Sequence, residues 1–113
     1  MTATPVITNL EKLLGGPRDG ALLRYALGNE HLRAGDFAQA AVRLREAVER
    51  DAAYSAAWKL LGKALAEDGQ ASEALAAYEQ GIAVAEARGD VQAAREMNVF
   101  ARRLRRQLPA AGR

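Results

Sequence analysis

A single histidine, His31, and no cysteine set the limits of the chemistry open to this protein. Nucleophilic catalysis needs a nucleophile, a base and a group that orients the base, and a zinc centre needs several His or Cys donors. Neither set can be assembled here, so no catalytic residue, no metal site and no cofactor is expected. His31 falls where helical spacing buries a side chain, and reads as a packed helix residue. Glu30 and Glu67-Asp68 read as solvated helix-surface acids, and Trp58 and Tyr78 as core aromatics rather than a stacking platform. No glycine-rich phosphate loop is expected, because no segment reads as a strand to precede one. The sharpest charge feature is the run Arg102, Arg103, Arg105 and Arg106. Phosphate backbones attract such clusters. This one is short and has no interleaved aromatic. A solvated helix face is the first reading, an acidic partner the second and nucleic acid the third.

The elements that must position these residues are helices. Of 113 residues, half are apolar, and 26 are alanine while aromatics make up 5%. Alanine is the best helix former, and β-sandwiches and barrels want the β-branched and aromatic residues that are scarce here. Charge is uneven. Residues 1–88 carry 10 basic and 12 acidic side chains, and residues 89–113 carry 6 and 2, so the net +2 reflects a basic C-terminal stretch on an acidic body. The opening MTATPVITNL lacks the basic and apolar regions of a signal peptide, and no uncharged stretch approaches the ~18 apolar residues of a membrane span. The expectation is a soluble, cytoplasmic protein with no membrane contact. The arginine count of 13 against 3 lysines, with the alanine excess, is associated with GC-rich bacterial genomes.

Shifting the sequence by 34 residues aligns 21–54 with 55–88 without a gap, and Leu27/Leu61, Gly28/Gly62, Gly35/Gly69, Ala40/Ala74 and Ala53/Ala87 coincide. Each segment reads as two helices. Trp58, Leu61, Gly62 and Leu65 share one helical face, Gly69 ends that helix, and Ala74, Tyr78 and Gly81 share a face of the next. Asp36 after Gly35 suits an N-cap. The small residues Gly28, Gly62, Ala40 and Ala74 let the paired helices approach closely.

The run Trp58-x2-Leu61-Gly62 followed by Ala74-x3-Tyr78 resembles the tetratricopeptide repeat, a 34-residue helix–turn–helix unit. The first segment carries Leu27-Gly28, Gly35-Asp36-Phe37, Ala40 and Ala47, with Arg24 where the family usually has Trp and His31 where it often has Tyr. Ala52 and Glu86 replace a common proline. The resemblance implies an all-α superhelix: a short N-terminal helix and Gly-rich linker (1–20), repeat one (21–54), repeat two (55–88), a capping helix (89–108) and a frayed tail (109–113). In the cap, Ala94, Met97, Ala101, Leu104 and Leu108 form the apolar face, Phe100 lies at its edge, and Asp90 caps its start. In the N-terminal helix, Val6, Leu10 and Leu13 form the stripe, set to pack as an end cap or at the groove mouth.

The family resemblance further implies a concave surface lined by the first helix of each repeat. By register these are Leu22, Tyr25, Asn29, Leu32 and Arg33, then Ala56, Lys59, Lys63, Ala66 and Glu67. At about 100° per residue these positions fall opposite the buried stripe of Trp58, Leu61 and Leu65. Arg33, Lys59, Lys63 and Glu67 give that lining a net +2. The implied function is non-catalytic binding of a protein or peptide in this groove, with an acidic segment or the free C-terminus of a polypeptide favoured. A homo-oligomeric structural module is the alternative, and the expected state is a monomer or weak homo-oligomer. Relatives that clamp the C-terminal carboxylates of chaperones use a lysine and two asparagines. Only Asn29 matches, with Tyr25 and Leu60 at the other places and no matching basic pair after Gly89, so that clamp is not implied.

Overall fold

Six helices and no strand make up residues 4–109, the part of the protein described by the computed structural model. They are α1 (Pro5–Glu11), α2 (Ala21–Arg33), α3 (Phe37–Arg50), α4 (Ser55–Glu67), α5 (Ala71–Ala87) and α6 (Val91–Gln107). Of the expected frayed tail, all but Pro109 lies outside the described residues.

Local chemistry sets the ends of these helices. Gly35 and Gly69 sit at φ +80° and +77°, a left-handed conformation that costs glycine nothing. Each closes its helix in the same way: Asp36 N–H donates to His31 C=O at 2.9 Å, and Gln70 N–H to Leu65 C=O at 2.8 Å. Asp36 and Asp90 then start the next helices, their carboxylates accepting from Gln39 N–H at 3.2 Å and Ala93 N–H at 3.1 Å.

Helices α2 and α3 pack as a pair, as do α4 and α5, and α6 covers the far side of α5. Along the array α2 packs on α4 and α4 on α6, whereas α3 and α5 reach each other only through side chains, Arg45 to Glu73 at 3.1 Å. The layer of α2, α4 and α6 is therefore drawn together and the α3–α5 layer splayed, which curves the array with α2, α4 and α6 on its concave side. The core sets Leu44, Leu61, Leu65, Tyr78 and Met97 among ten buried alanines from α3 to α6 and is thin, as the composition implies. Close approach requires glycine at position 62, where a Cβ would stand 2.6 Å from Tyr78 Cε1.

Helix α1 is an end cap. It touches α2 alone, where Ile7 meets Leu23 and Leu27 in a separate small cluster joined by Leu10 and Leu14. The stripe differs from the expected one by a residue. Val6 and Leu13 are 50% and 37% exposed, while Ile7 is buried. In a helix of 7 residues begun by Thr4, the set Ile7, Leu10, Leu14 puts a larger branched side chain on α2 than Val6, Leu10, Leu13 does.

Arg24, at the family's tryptophan position, ties the linker to the first repeat. Its guanidinium contacts Asp19 at 2.6 Å and Glu46 at 2.7 Å, and Arg43 adds a second contact to Glu46 at 3.1 Å. Asp19 also accepts from Gly15 N–H at 2.8 Å, so the Gly-rich linker is stapled. Hydrogen bonds from Arg24 and then Gly15 pull the Asp19 carboxyl down to about 2. At Glu46, burial pushes the carboxyl up, but the bonds from Arg24 and Arg43 outweigh it and leave the group below its ordinary value.

Candidate functional site: the concave slot between α4 and α6

The concave layer is not uniform. Its α2 side is largely closed by its own packing. Tyr25 stacks on Tyr54 with ring centroids 4.9 Å apart, and both Tyr25 and Leu32 lean on the main core. Asn29 is half-buried. Arg33 is exposed and lies 3.8 Å from Glu30. Of the three large apolar residues expected in an open groove here, only Leu22 stands free, at 71% exposure. Ala56, at the start of α4, is also exposed.

The α4–α6 side opens into a slot of about 520 Å³. Four of the sequence-derived groove residues come together in it: Lys59, Lys63, Ala66 and Glu67. Its floor and far wall lie outside the sequence-derived set. They come from Leu60 and Ala71, from Tyr78 on α5, and from Phe100, Arg103, Leu104 and Gln107 on α6. Tyr78 is buried, and Phe100 stacks on it at 5.5 Å with the planes 24° apart. Burial pushes the Tyr78 hydroxyl up to about 12, so it stays protonated throughout the neutral range. A signal for this wall is present in the sequence. Phe100 and Arg103 are three residues apart at the edge of the buried stripe of α6, where a helix turns from core to solvent.

Charge around the slot is partly committed. Lys59 Nζ and Glu96 Oε1 meet at 2.5 Å and bridge α4 to α6. The bond from Lys59, then that from Gln92, holds the Glu96 carboxyl below its usual value. Arg103 lies over the Phe100 ring, 5.8 Å from the centroid. Neither Arg103 nor Lys63 has a carboxylate partner among the described residues.

The arginine run does not form one patch. Arg105 pairs with Glu79 on α5 at 3.1 Å, Arg103 turns to the slot, and Arg102 and Arg106 are left on the outer face. His31 is buried at the α2–α3 turn, its Nδ1 3.9 Å from Asp36 Oδ2. Trp58 is half-buried rather than fully internal, with its indole N–H donated to Ala52 C=O at 2.8 Å. Among the described residues no group of three His, Cys, Asp or Glu side chains gathers to hold a metal ion, and no helix is long and apolar enough to cross a membrane.

Residues 31–97 match the family model described as tetratricopeptide repeat. The chain belongs to the tetratricopeptide repeat family. A TPR repeat-containing protein of Pseudomonas aeruginosa is 50% identical over 101 residues, which is 89% of this chain and 96% of that one. The solution structure of a Bordetella parapertussis protein superimposes with a TM-score of 0.78 at 40% identity, covering 93% of this chain and 91% of that one. A tetratricopeptide repeat domain protein from Salinibacter ruber, also solved in solution, gives 0.73 at 29% identity over 86% and 96%. The all-α superhelix that the family resemblance implies is thus the fold observed. Tetratricopeptide repeats generally mediate protein–protein interaction.

Proposed function

We propose that this domain is a non-catalytic interaction module that holds a segment of a partner protein along its concave face, with the α4–α6 slot as the principal contact. One observation carries the reading: a slot of about 520 Å³ with an apolar and aromatic floor and a cationic rim. That size and lining suit one or two side chains of a bound peptide. A depression of similar volume lies between α3 and α5, but it is more open, and its Arg45 is already engaged by Glu73 at 3.1 Å. The rim favours an acidic segment or a free C-terminal carboxylate over a basic segment, because Lys63 and Arg103 outnumber Glu67 even with Lys59 engaged by Glu96. The division of the arginine run between Glu79, the slot and solvent supports protein over nucleic acid.

The test is display of random peptides on the full-length protein, followed by affinity measurement on variants. Lys63→Glu is the informative substitution. Lys59→Glu would set a second carboxylate against Glu96 and disturb the α4–α6 bridge itself. Recovered peptides should lose affinity for Lys63→Glu and keep it for Glu49→Lys on the convex side. Peptides that ignore Lys63→Glu, or no recovery at all, would remove the slot as the binding site.

A further inference from the structure

The chemistry of the slot narrows what its occupant must carry, given the reading that the concave face binds a peptide. The geometry points to a two-point subsite: a bulky apolar side chain seated on the Tyr78–Phe100 stack, and a neighbouring carboxylate held between Lys63 and Arg103. The partner class is an acidic segment with an apolar anchor.

The apolar point rests on the aromatic pair. Tyr78 is fixed by burial and by the close approach of Gly62, and Phe100 stacks on it while keeping 36% of its surface exposed. Leu60, Ala66, Ala71 and Leu104 continue the apolar lining. An exposed aromatic face backed by a rigid core is a low-entropy platform, because little side-chain freedom is lost when a ligand lands on it.

The anionic point rests on how the charges are committed. Three cations border the slot, but Lys59 is held by Glu96. Lys63 from α4 and Arg103 from α6 remain without a carboxylate partner among the described residues, one from each helical wall. Glu67 is the one carboxylate in the lining and pairs with neither of them among the described residues. Arg103 is further oriented by its contact with Phe100, so the group that would meet the carboxylate rests on the ring that would meet the apolar side chain. The Lys59–Glu96 bridge links the two walls that carry the two points. Helix α6 is therefore assigned a role in specificity in addition to covering α5.

The probe is a positional library of labelled dodecapeptides. One site is fixed as Leu or Phe, and a second, one to four residues away, as Glu, Gln or Lys. Binding to the full-length protein is read by fluorescence anisotropy. The Glu series should bind best, Gln about tenfold weaker and Lys weaker still, with the preference shrinking at high salt. Lys63→Ala and Arg103→Ala, both at exposed side chains, should each weaken the Glu series and leave the Gln series nearly unchanged. Phe100→Leu should weaken both series. Equal affinity for Glu and Gln peptides that still respond to Phe100→Leu would overturn the carboxylate point and leave the concave reading standing. A Glu preference untouched by Lys63→Ala and Arg103→Ala would place the anion elsewhere and overturn the subsite. Binding insensitive to all three variants, or no binding, would overturn the concave reading and the subsite with it.

Discussion

Gly62→Ala sets two effects of opposite sign against each other, and the geometry decides between them. Replacing a mid-helix glycine by alanine gains about 1 kcal/mol of helix propensity where nothing opposes it. Here the new Cβ would stand 2.6, 2.7 and 2.8 Å from Cε1, Cζ and Cδ1 of Tyr78. Three ring atoms are blocked at once, and the ring has little room to yield: Tyr78 is buried and backed by Phe100 at 5.5 Å. Either the ring moves into the slot or α4 and α5 separate. Overpacking of this kind costs about 1–3 kcal/mol. The net expectation is a destabilisation of about 1 kcal/mol, seen as a fall in Tm of roughly 5 °C for a domain of this size. Thermal melts followed by circular dichroism measure it. The double variant Gly62→Ala/Tyr78→Leu supplies the control. With the ring gone the Cβ has room, so the two substitutions should be less destabilising together than their sum. A Gly62→Ala variant that melts above the wild type would mean that propensity alone acts, and the close approach of α4 to Tyr78 would be refuted.

Acid should weaken the fold through Asp19, Glu46 and Glu96, whose carboxyls lie below their ordinary values in the folded protein. Their contribution is complete above the ordinary carboxylate range and is lost as pH falls through the folded values, so the urea midpoint should drop between neutral pH and about pH 3. The drop should be smaller in Arg24→Ala. Removing residues 1–15 uncovers Leu23 and Leu27 and should lower stability while leaving peptide affinity unchanged, because α1 touches only α2. A change in affinity without a change in Tm would contradict the end-cap placement. Removing residues 90–113 takes Phe100 and Met97 away from Tyr78 and Gly81 of α5 and should give an aggregating or molten protein. A cooperatively melting monomer of residues 1–89 would show that α6 is dispensable to the fold.

The parts of this fold that a reader can take from the sequence are those set by neighbours a few residues apart. Gly35 and Gly69 end helices because their left-handed backbone is a local requirement, and Asp36 and Asp90 begin them through bonds to N–H groups three residues on. The period of 34 makes those local signals coincide and so discloses the repeat. What stayed hidden depends on distance along the sequence. Arg24 stands out as a departure from the family pattern, but its partner Glu46 lies 22 residues away. The second wall of the slot is further still: Lys59 and Glu96 are 37 residues apart, and α4 and α6 face each other only because α5 turns the backbone back between them. The α1 register is ambiguous for a different reason. Two stripes share Leu10, and a helix of 7 residues is too short for periodicity to choose between them. Trp58 is less buried than its apolar stripe implies because its indole N–H reaches out to Ala52 at the repeat boundary.

The most direct measurement of the concave-face reading is amide chemical-shift mapping of the full-length protein during titration with a peptide recovered by display. The expected shifts cluster on the concave layer and are strongest around Lys63, Phe100 and Arg103, with smaller changes near Leu22 and Ala56. Residues of the convex side, such as Ala38, Val42 and Glu49, should stay in place. Shifts confined to that α3–α5 surface, or to Arg102 and Arg106 on the outer face of α6, would contradict the assignment of the α4–α6 slot as the binding site.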